Sequence, residues 1–277
     1  MTATNLSVAA ILLTLALATA PALAQVQTRS VDYKQGDTTL RGYLAWDEAP
    51  GNQPEAKRPG VLVVPEWWGL NDYAQRRTRE LAALGYVALA VDMYGDGKST
   101  TSAQEAGALA TAVRSDRALM RARIRAALDT LAADPRVDPK RIAAIGYCFG
   151  GGVVLELARS GADVAGVVCF HGSLDTPHPQ DAKNIKAKVL ICNGADDTMV
   201  APQIPAFEKE MRDAGVDWQF INYGGAVHAF TNPDADKLAL SAGLKGIAYN
   251  AKADKRSWQA MKVFLQEVFA GSDQARP

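Results

Sequence analysis

The stretch Gly146-Tyr147-Cys148-Phe149-Gly150-Gly151 constrains the fold most. An apolar run, Arg141-Ile142-Ala143-Ala144-Ile145, precedes it and reads as a buried strand; Gly152-Val153-Val154-Leu155-Glu156-Leu157-Ala158-Arg159 follows and reads as a helix. Cys148 therefore sits on a sharp strand-to-helix bend, with Gly two residues before and two after: G-x-S-x-G with Cys in place of Ser. Such a bend holds a side chain in a strained turn, where flanking side chains would collide with backbone. The helix N-terminus beyond it offers unpaired N–H groups and a positive dipole end, which favour a thiolate. A cysteine of ordinary pKa is only about 3% ionised at pH 7. Lowering its pKa by one unit takes about 1.4 kcal/mol, more than a surface helix dipole usually gives, so a base or another charged group has to help. The competing reading is a buried Cys packed for shape.

Strand and helix signals alternate along the chain. Val31 to Trp46 reads as two strands around Gln35-Gly36-Asp37. Gly60-Val61-Leu62-Val63-Val64 and Tyr86-Val87-Ala88-Leu89-Ala90-Val91 are continuous apolar runs, as in parallel strands buried on both faces. A helix capped by Asn71 or Asp72 runs to Leu84; residues 102–133 read as helix bent near Arg114-Ser115-Asp116; residues 134–139 read as turns. Strands follow at 164–170, 189–192 and 218–223, with helices at 205–214 and 255–269 and a long loop carrying His228. The order predicts an α/β fold with one mostly parallel central sheet and helices on both faces. In such sheets functional groups collect at the C-terminal ends of strands. Glu66, Cys148, His171, Asp197 and His228 all fall just past such ends.

Residues Ala9 to Ala20 form an apolar stretch too short and Ala-rich for a comfortable membrane span, and Ala22-Leu23-Ala24 gives a small-x-small cleavage pattern. We read residues 1–24 as a signal peptide without a basic start, residues 25–277 as one exported, periplasmic domain, and the mature form as free of the membrane. Thirty Lys and Arg balance thirty Asp and Glu, so no net field draws the chain to nucleic acid. The three cysteines, Cys148, Cys169 and Cys192, form no C-x-x-C and no disulfide framework, and no His/Cys spacing suits a metal. No metal or cofactor is expected.

A nucleophile needs a base, and the base needs an orienting group. Cys148, Asp197, His228 run in the order nucleophile, acid, His. With Pro65-Glu66-Trp67-Trp68-Gly69, Val91-Asp92-Met93-Tyr94, Gly194-Ala195-Asp196-Asp197-Thr198-Met199-Val200 and His228-Ala229-Phe230, the chain resembles the dienelactone hydrolase family of the α/β-hydrolase superfamily from about Val31 to the last helix. The resemblance implies Cys148 as nucleophile, His228 as base, Asp197 as its orienter with Asp196 the adjacent competitor, and Glu66 controlling the protonation of the thiol. It implies an oxyanion hole from the backbone N–H groups of Phe149 and Trp67, and a small ester or lactone as substrate. Trp68, Tyr94, His171 and Phe230 are expected to line the substrate pocket, and His178 to be an exposed loop residue.

One position departs from the family. Where members acting on dienelactone carry an Arg four residues after the catalytic His, this chain has Asn232, which forms no charged fork with a carboxylate. Two other classes of function fit parts of the pattern: a thiol redox or peroxide sensor using Cys148, and a non-catalytic binding module on the same fold. The missing C-x-x-C weighs against the first, and the complete triad against the second.

Overall fold

The computed structural model describes residues 25–48 and 57–270. The signal peptide reading lies outside them. Eight strands form one sheet: β1 (Val26–Gln35), β2 (Thr38–Asp47), β3 (Arg58–Val64), β4 (Val87–Ala90), β5 (Val137–Tyr147), β6 (Gly166–Phe170), β7 (Lys188–Gly194) and β8 (Trp218–Tyr223). Their spatial order is 1-2-4-3-5-6-7-8. The β1–β2 hairpin is antiparallel, β2 joins β4 antiparallel, and every pair from β4 onward is parallel. Among the described residues the α-helices are α1 (Asp72–Ala83), α2 (Ala103–Arg114), α3 (Arg117–Ala132), α4 (Phe149–Arg159), α5 (Ile204–Ala214), α6 (Ala235–Ala242) and α7 (Ala251–Ala270).

Side-chain alternation along the central strands builds a core on each face of the sheet. Leu62 and Val64 of β3, Ile142 and Ala144 of β5, and Val189 and Ile191 of β7 pack with α2, α3, α4 and α5. Val61 and Val63, Ala143 and Ile145, Leu190 and Cys192 point the other way, onto α1 and α7. Both sides of these strands are covered, which is why they read as unbroken apolar runs instead of alternating ones. A methyl-for-isobutyl change at Leu62, fully buried, would cost about 2–5 kcal/mol.

The helix boundaries follow local chemistry. Asn71, not Asp72, caps α1, accepting from the Ala74 N–H at 3.2 Å. Asp116 caps α3 through the Leu119 N–H at 2.9 Å and so makes the expected bend a break between α2 and α3. Three expectations need adjusting. β5 begins at Val137 inside the stretch read as turns, because Val137 pairs with Arg58 across a register shift before the regular ladder starts at Ile142. The nucleophile helix starts at Phe149, immediately after Cys148. Inside the stretch read as a loop after β8, α6 forms a short helix closed by Gly243 in the left-handed conformation. Among the described residues no helix is long and apolar enough to cross a membrane.

Candidate active site

Cys148 joins β5 to α4 at φ +52°, ψ −113°, a conformation that non-glycine residues adopt only under constraint. The constraint comes from packing. A Cβ on Gly146 would lie 2.0 Å from the Gly150 carbonyl oxygen, and one on Gly150 would lie 2.3 Å from the Val64 carbonyl oxygen. Both glycines let the turn close on itself and press against β3. The Cys148 N–H donates to the Phe170 carbonyl at 3.0 Å, fixing the bend to the end of β6. Cys148 is half-buried and faces the cavity, whereas Cys169 and Cys192 are fully buried. Burial pushes each of those two thiols up to about 12.

His228 lies on the loop after β8, 8% exposed. Its Nδ1 is 2.7 Å from Asp197 Oδ2. The other oxygen of Asp197 accepts from the Met199 and Val200 N–H groups at 3.0 and 3.2 Å, so the turn after β7 aims the carboxylate at the ring. Asp196, the competitor, is exposed. Burial by itself pushes the imidazole pKa down, but the neighbouring Cys148 and the hydrogen-bonded Asp197 outweigh it and raise it to about 10. A proton on His228 is thus held from both sides.

Glu66 follows β3 and is 3% exposed. Burial raises its carboxyl to about 7 against the opposing pull of Asn232 and His228. Asn232 Nδ2 donates to Glu66 Oε2 at 2.7 Å, and Asn232 Oδ1 accepts from the Asp234 N–H at 3.0 Å, which fixes the amide's orientation. The residue standing at the family's arginine position is therefore a neutral donor to Glu66.

Trp67 is half-buried and lies in contact with Trp68 at 4.8 Å between ring centroids. Phe149 opens α4, whose first-turn amides have no partner within the helix. Cys148, Glu66, His228, Trp67 and Trp68 share a cavity of about 360 Å³. Three residues expected in its wall are not among those lining it. Tyr94 is 7% exposed; its hydroxyl donates to the Trp67 carbonyl at 2.9 Å and its ring lies 5.8 Å from that of Phe149, so it braces both residues from behind. Phe230 is fully buried between His171 and Tyr223. His171 is fully buried as well, edge-on to His228 with centroids 5.4 Å apart. His178 is exposed.

The rest of the wall comes from other segments. Arg114 from the end of α2, Met199, Leu238 from α6, and Leu244 and Ile247 beyond it complete the cavity. Arg114 stacks over Phe149, its guanidinium carbon 5.9 Å from the ring centre. An amphipathic pattern in residues 235–242 was the available signal for the α6 side. Among the described residues no cluster of three or more His, Cys, Asp or Glu could hold a metal ion.

The sequence and the fold match known proteins. The family model described as the dienelactone hydrolase family matches residues 40–269. The chain is similar to a solved dienelactone hydrolase-like promiscuous phosphotriesterase from metagenomic libraries, with 44% identity, a TM-score of 0.81, and coverage of 88% of this chain and 99% of that one. A second solved structure, designated m3DLH, shows 46% identity, a TM-score of 0.82 and the same coverage. Protein usf of Aquifex pyrophilus is 30% identical over 208 residues, covering 73% of this chain and 86% of its own length. The eight-stranded sheet is that of an α/β-hydrolase, and the chain belongs to the dienelactone hydrolase family.

Proposed function

We propose that this hydrolase of ester or lactone bonds works through Cys148 as nucleophile and a thioacyl-enzyme. The single observation that carries the reading is the 2.7 Å contact of His228 Nδ1 with Asp197 in the cavity that Cys148 faces from its strained turn. In acylation the Cys148 thiolate attacks the substrate carbonyl carbon, and the carbonyl π electrons move onto oxygen. The backbone N–H groups of Phe149 and Trp67 hold that oxyanion. Collapse of the intermediate expels the alkoxide, which takes the proton carried by His228. In deacylation neutral His228 removes a proton from water, the hydroxide attacks the thioester, and the carbon–sulfur bond breaks. Carboxylic acid leaves, and Cys148 and His228 return to their starting charges.

Glu66 governs the charge of the site before substrate arrives. Buried and raised to about 7, it is about half neutral at pH 7 and takes on its charge in the cavity it shares with Cys148 as pH rises. Asn232 sets the substrate class. With no arginine at that position, a carboxylate-bearing substrate loses a charge-assisted hydrogen bond of about 1.5–3 kcal/mol. Neutral esters and lactones are therefore turned over at least as well as anionic ones. A panel of chromogenic esters and lactones, each neutral compound paired with its carboxylate analogue, tests this; a clear preference for the anionic member of each pair contradicts it and points to Arg114, on the cavity wall, in the missing arginine's place.

A neutral phosphotriester belongs in the same panel. The relative described as a promiscuous phosphotriesterase is 44% identical over nearly its whole length, and a phosphoryl oxygen could meet the same two amides. Residues 1–24 we read as an export signal, on the strength of the apolar run Ala9 to Ala20 and Ala22-Leu23-Ala24. N-terminal sequencing of the periplasmic protein should then begin at Gln25; intact Met1 in the cytosol contradicts it.

A further inference from the structure

Behind the proposed triad lies a buried polar chain that the mechanism above does not use. It begins at Arg77 of α1, a residue with donors only. Arg77 is anchored by Asp254 of α7 and by Glu80 at 3.0 Å, and its Nη2 donates to the Thr231 carbonyl at 2.9 Å. Its Nε donates to the Tyr73 hydroxyl at 3.4 Å. Tyr73 and Thr231 hydroxyls are 2.6 Å apart, and Thr231 Oγ1 is 2.7 Å from His171 Nε2. Tyr73, Thr231 and His171 are all buried.

One direction of this chain gives every hydroxyl proton in it an acceptor. The Tyr73 oxygen accepts from Arg77, and its own proton has Thr231 as its acceptor. Thr231 Oγ1, already accepting, gives its proton to His171 Nε2. His171 Nε2 is therefore an acceptor, the ring carries its hydrogen on Nδ1, and the imidazole is neutral. Protonating Nε2 would turn it into a donor facing a donor; in the reversed chain the Tyr73 oxygen would accept from both Arg77 and Thr231, which leaves the buried phenol proton without an acceptor. His171 Nδ1 is buried and meets no hydrogen-bond partner. His228 stands edge-on, Tyr147 packs at 6.1 Å between centroids, and the Arg77 cation lies beyond Tyr73. Burial and the charge of His228 both push the His171 ring well below the usual range.

We propose that His171 is a positioning residue, locked as a neutral Nδ1–H imidazole by the relay Arg77–Tyr73–Thr231, and that the lock keeps the active-site proton on His228. The inference rests on His228 as the general acid and base. With two imidazoles in contact, a proton free to choose would divide its time between them, and only on His228 can it reach the leaving group. Two unit charges 5.4 Å apart at an effective dielectric near 20 oppose each other by about two pH units, so the two rings cannot both be charged. Denying the proton to His171 assigns it to His228.

The test removes the lock and reads where the proton goes. The chain has three histidines, so ¹⁵N-histidine NMR can resolve each tautomer. In the wild-type enzyme His171 should show Nδ1–H and Nε2 without hydrogen from pH 5 to 9. In Tyr73→Phe, Thr231 no longer receives a proton and can accept one from His171; the ring should then show Nε2–H and partial protonation. Kinetically, Tyr73→Phe should slow an alkyl ester about tenfold more than the nitrophenyl ester of the same acid, because only the alkoxide needs a proton from His228 to leave. His171→Phe added to Tyr73→Phe should abolish that difference, since phenylalanine offers no site for the proton. Thr231→Ser, which keeps the hydroxyl, should behave as wild type. An Nε2–H or charged His171 in the wild type overturns the proposal, as does equal slowing of both esters in Tyr73→Phe or failure of the double variant to restore their ratio. Full activity in His228→Ala would instead overturn the triad reading on which the inference rests; dependence on His228 with an unchanged His171 tautomer overturns the inference alone.

Discussion

Replacing Glu66 by Gln isolates the electrostatics of the site in a measurement that needs no substrate. Glu66 is 3% exposed, and burial raises its carboxyl from 4.5 to about 7. The native state therefore holds this proton more tightly than the unfolded chain. Between those values the native protein binds more protons than the unfolded one, so stability falls as pH rises. The contribution is fully present below 4.5 and is lost once pH passes about 7. From pH 5 to pH 8 the loss amounts to about 2–3 kcal/mol, at about 1.4 kcal/mol for each pH unit over which only the native carboxyl keeps its proton. Glu66→Gln keeps the shape and a neutral head, so it removes that slope. His228, raised to about 10, contributes a slope of the same sign, lost as pH rises from its ordinary value of 6.5 through about 10. That slope is present in both proteins and drops out of their difference apart from the pull that Glu66 and His228 exert on each other. Urea unfolding followed by tryptophan fluorescence at pH 5 and pH 8 gives the four stabilities required. The variant should gain about 2–3 kcal/mol on the wild type between the two pH values. An unchanged difference, or one in which the wild type gains with pH, would show that Glu66 is ionised and well solvated by its neighbours, and its assigned role would fall.

Asp197→Asn should lower kcat by several orders of magnitude with little change in KM, because the amide no longer favours the right tautomer and charge on His228; a loss of less than about tenfold would mean that Asp197 does not orient the ring. Among the thiols, Cys148 alone should react quickly with a small alkylating reagent at neutral pH, since Cys169 and Cys192 are fully buried and pushed up to about 12. Peptide mapping that finds rapid label on either of those two, or a linked pair, contradicts this.

The sheet was legible because its central strands are buried on both faces, and residues such as Val61 to Val64 have no polar alternation to obscure them. The site's principal groups were legible for a related reason. Each follows the C-terminal end of a strand, so strand positions alone brought Glu66, Cys148, Asp197 and His228 to one edge. The choice of Asp197 over Asp196 needed the resemblance, because adjacent carboxylates cannot be told apart by spacing; in the fold one is aimed by the Met199 and Val200 amides and the other is exposed. What failed was direction. Tyr94 and His171 follow strand ends and Phe230 lies two residues after His228, but loop geometry turns all three into the protein, where they brace other residues. The α6 side of the cavity was missed because eight residues between two turns give a weak periodic signal. Asn232 was noticed as a departure, yet its bond to Glu66 joins residues 166 positions apart and has no local trace.

The most direct test of the central claim is to trap the acyl group. Mass spectrometry of the protein quenched during turnover of a slow ester, in wild type and in His228→Ala, should find the acyl mass added once per chain and mapped to the peptide carrying Cys148. Cys148→Ala should show no adduct and no turnover. Full esterase activity in Cys148→Ala, or an acyl group on any other residue, would contradict the assignment of the nucleophile.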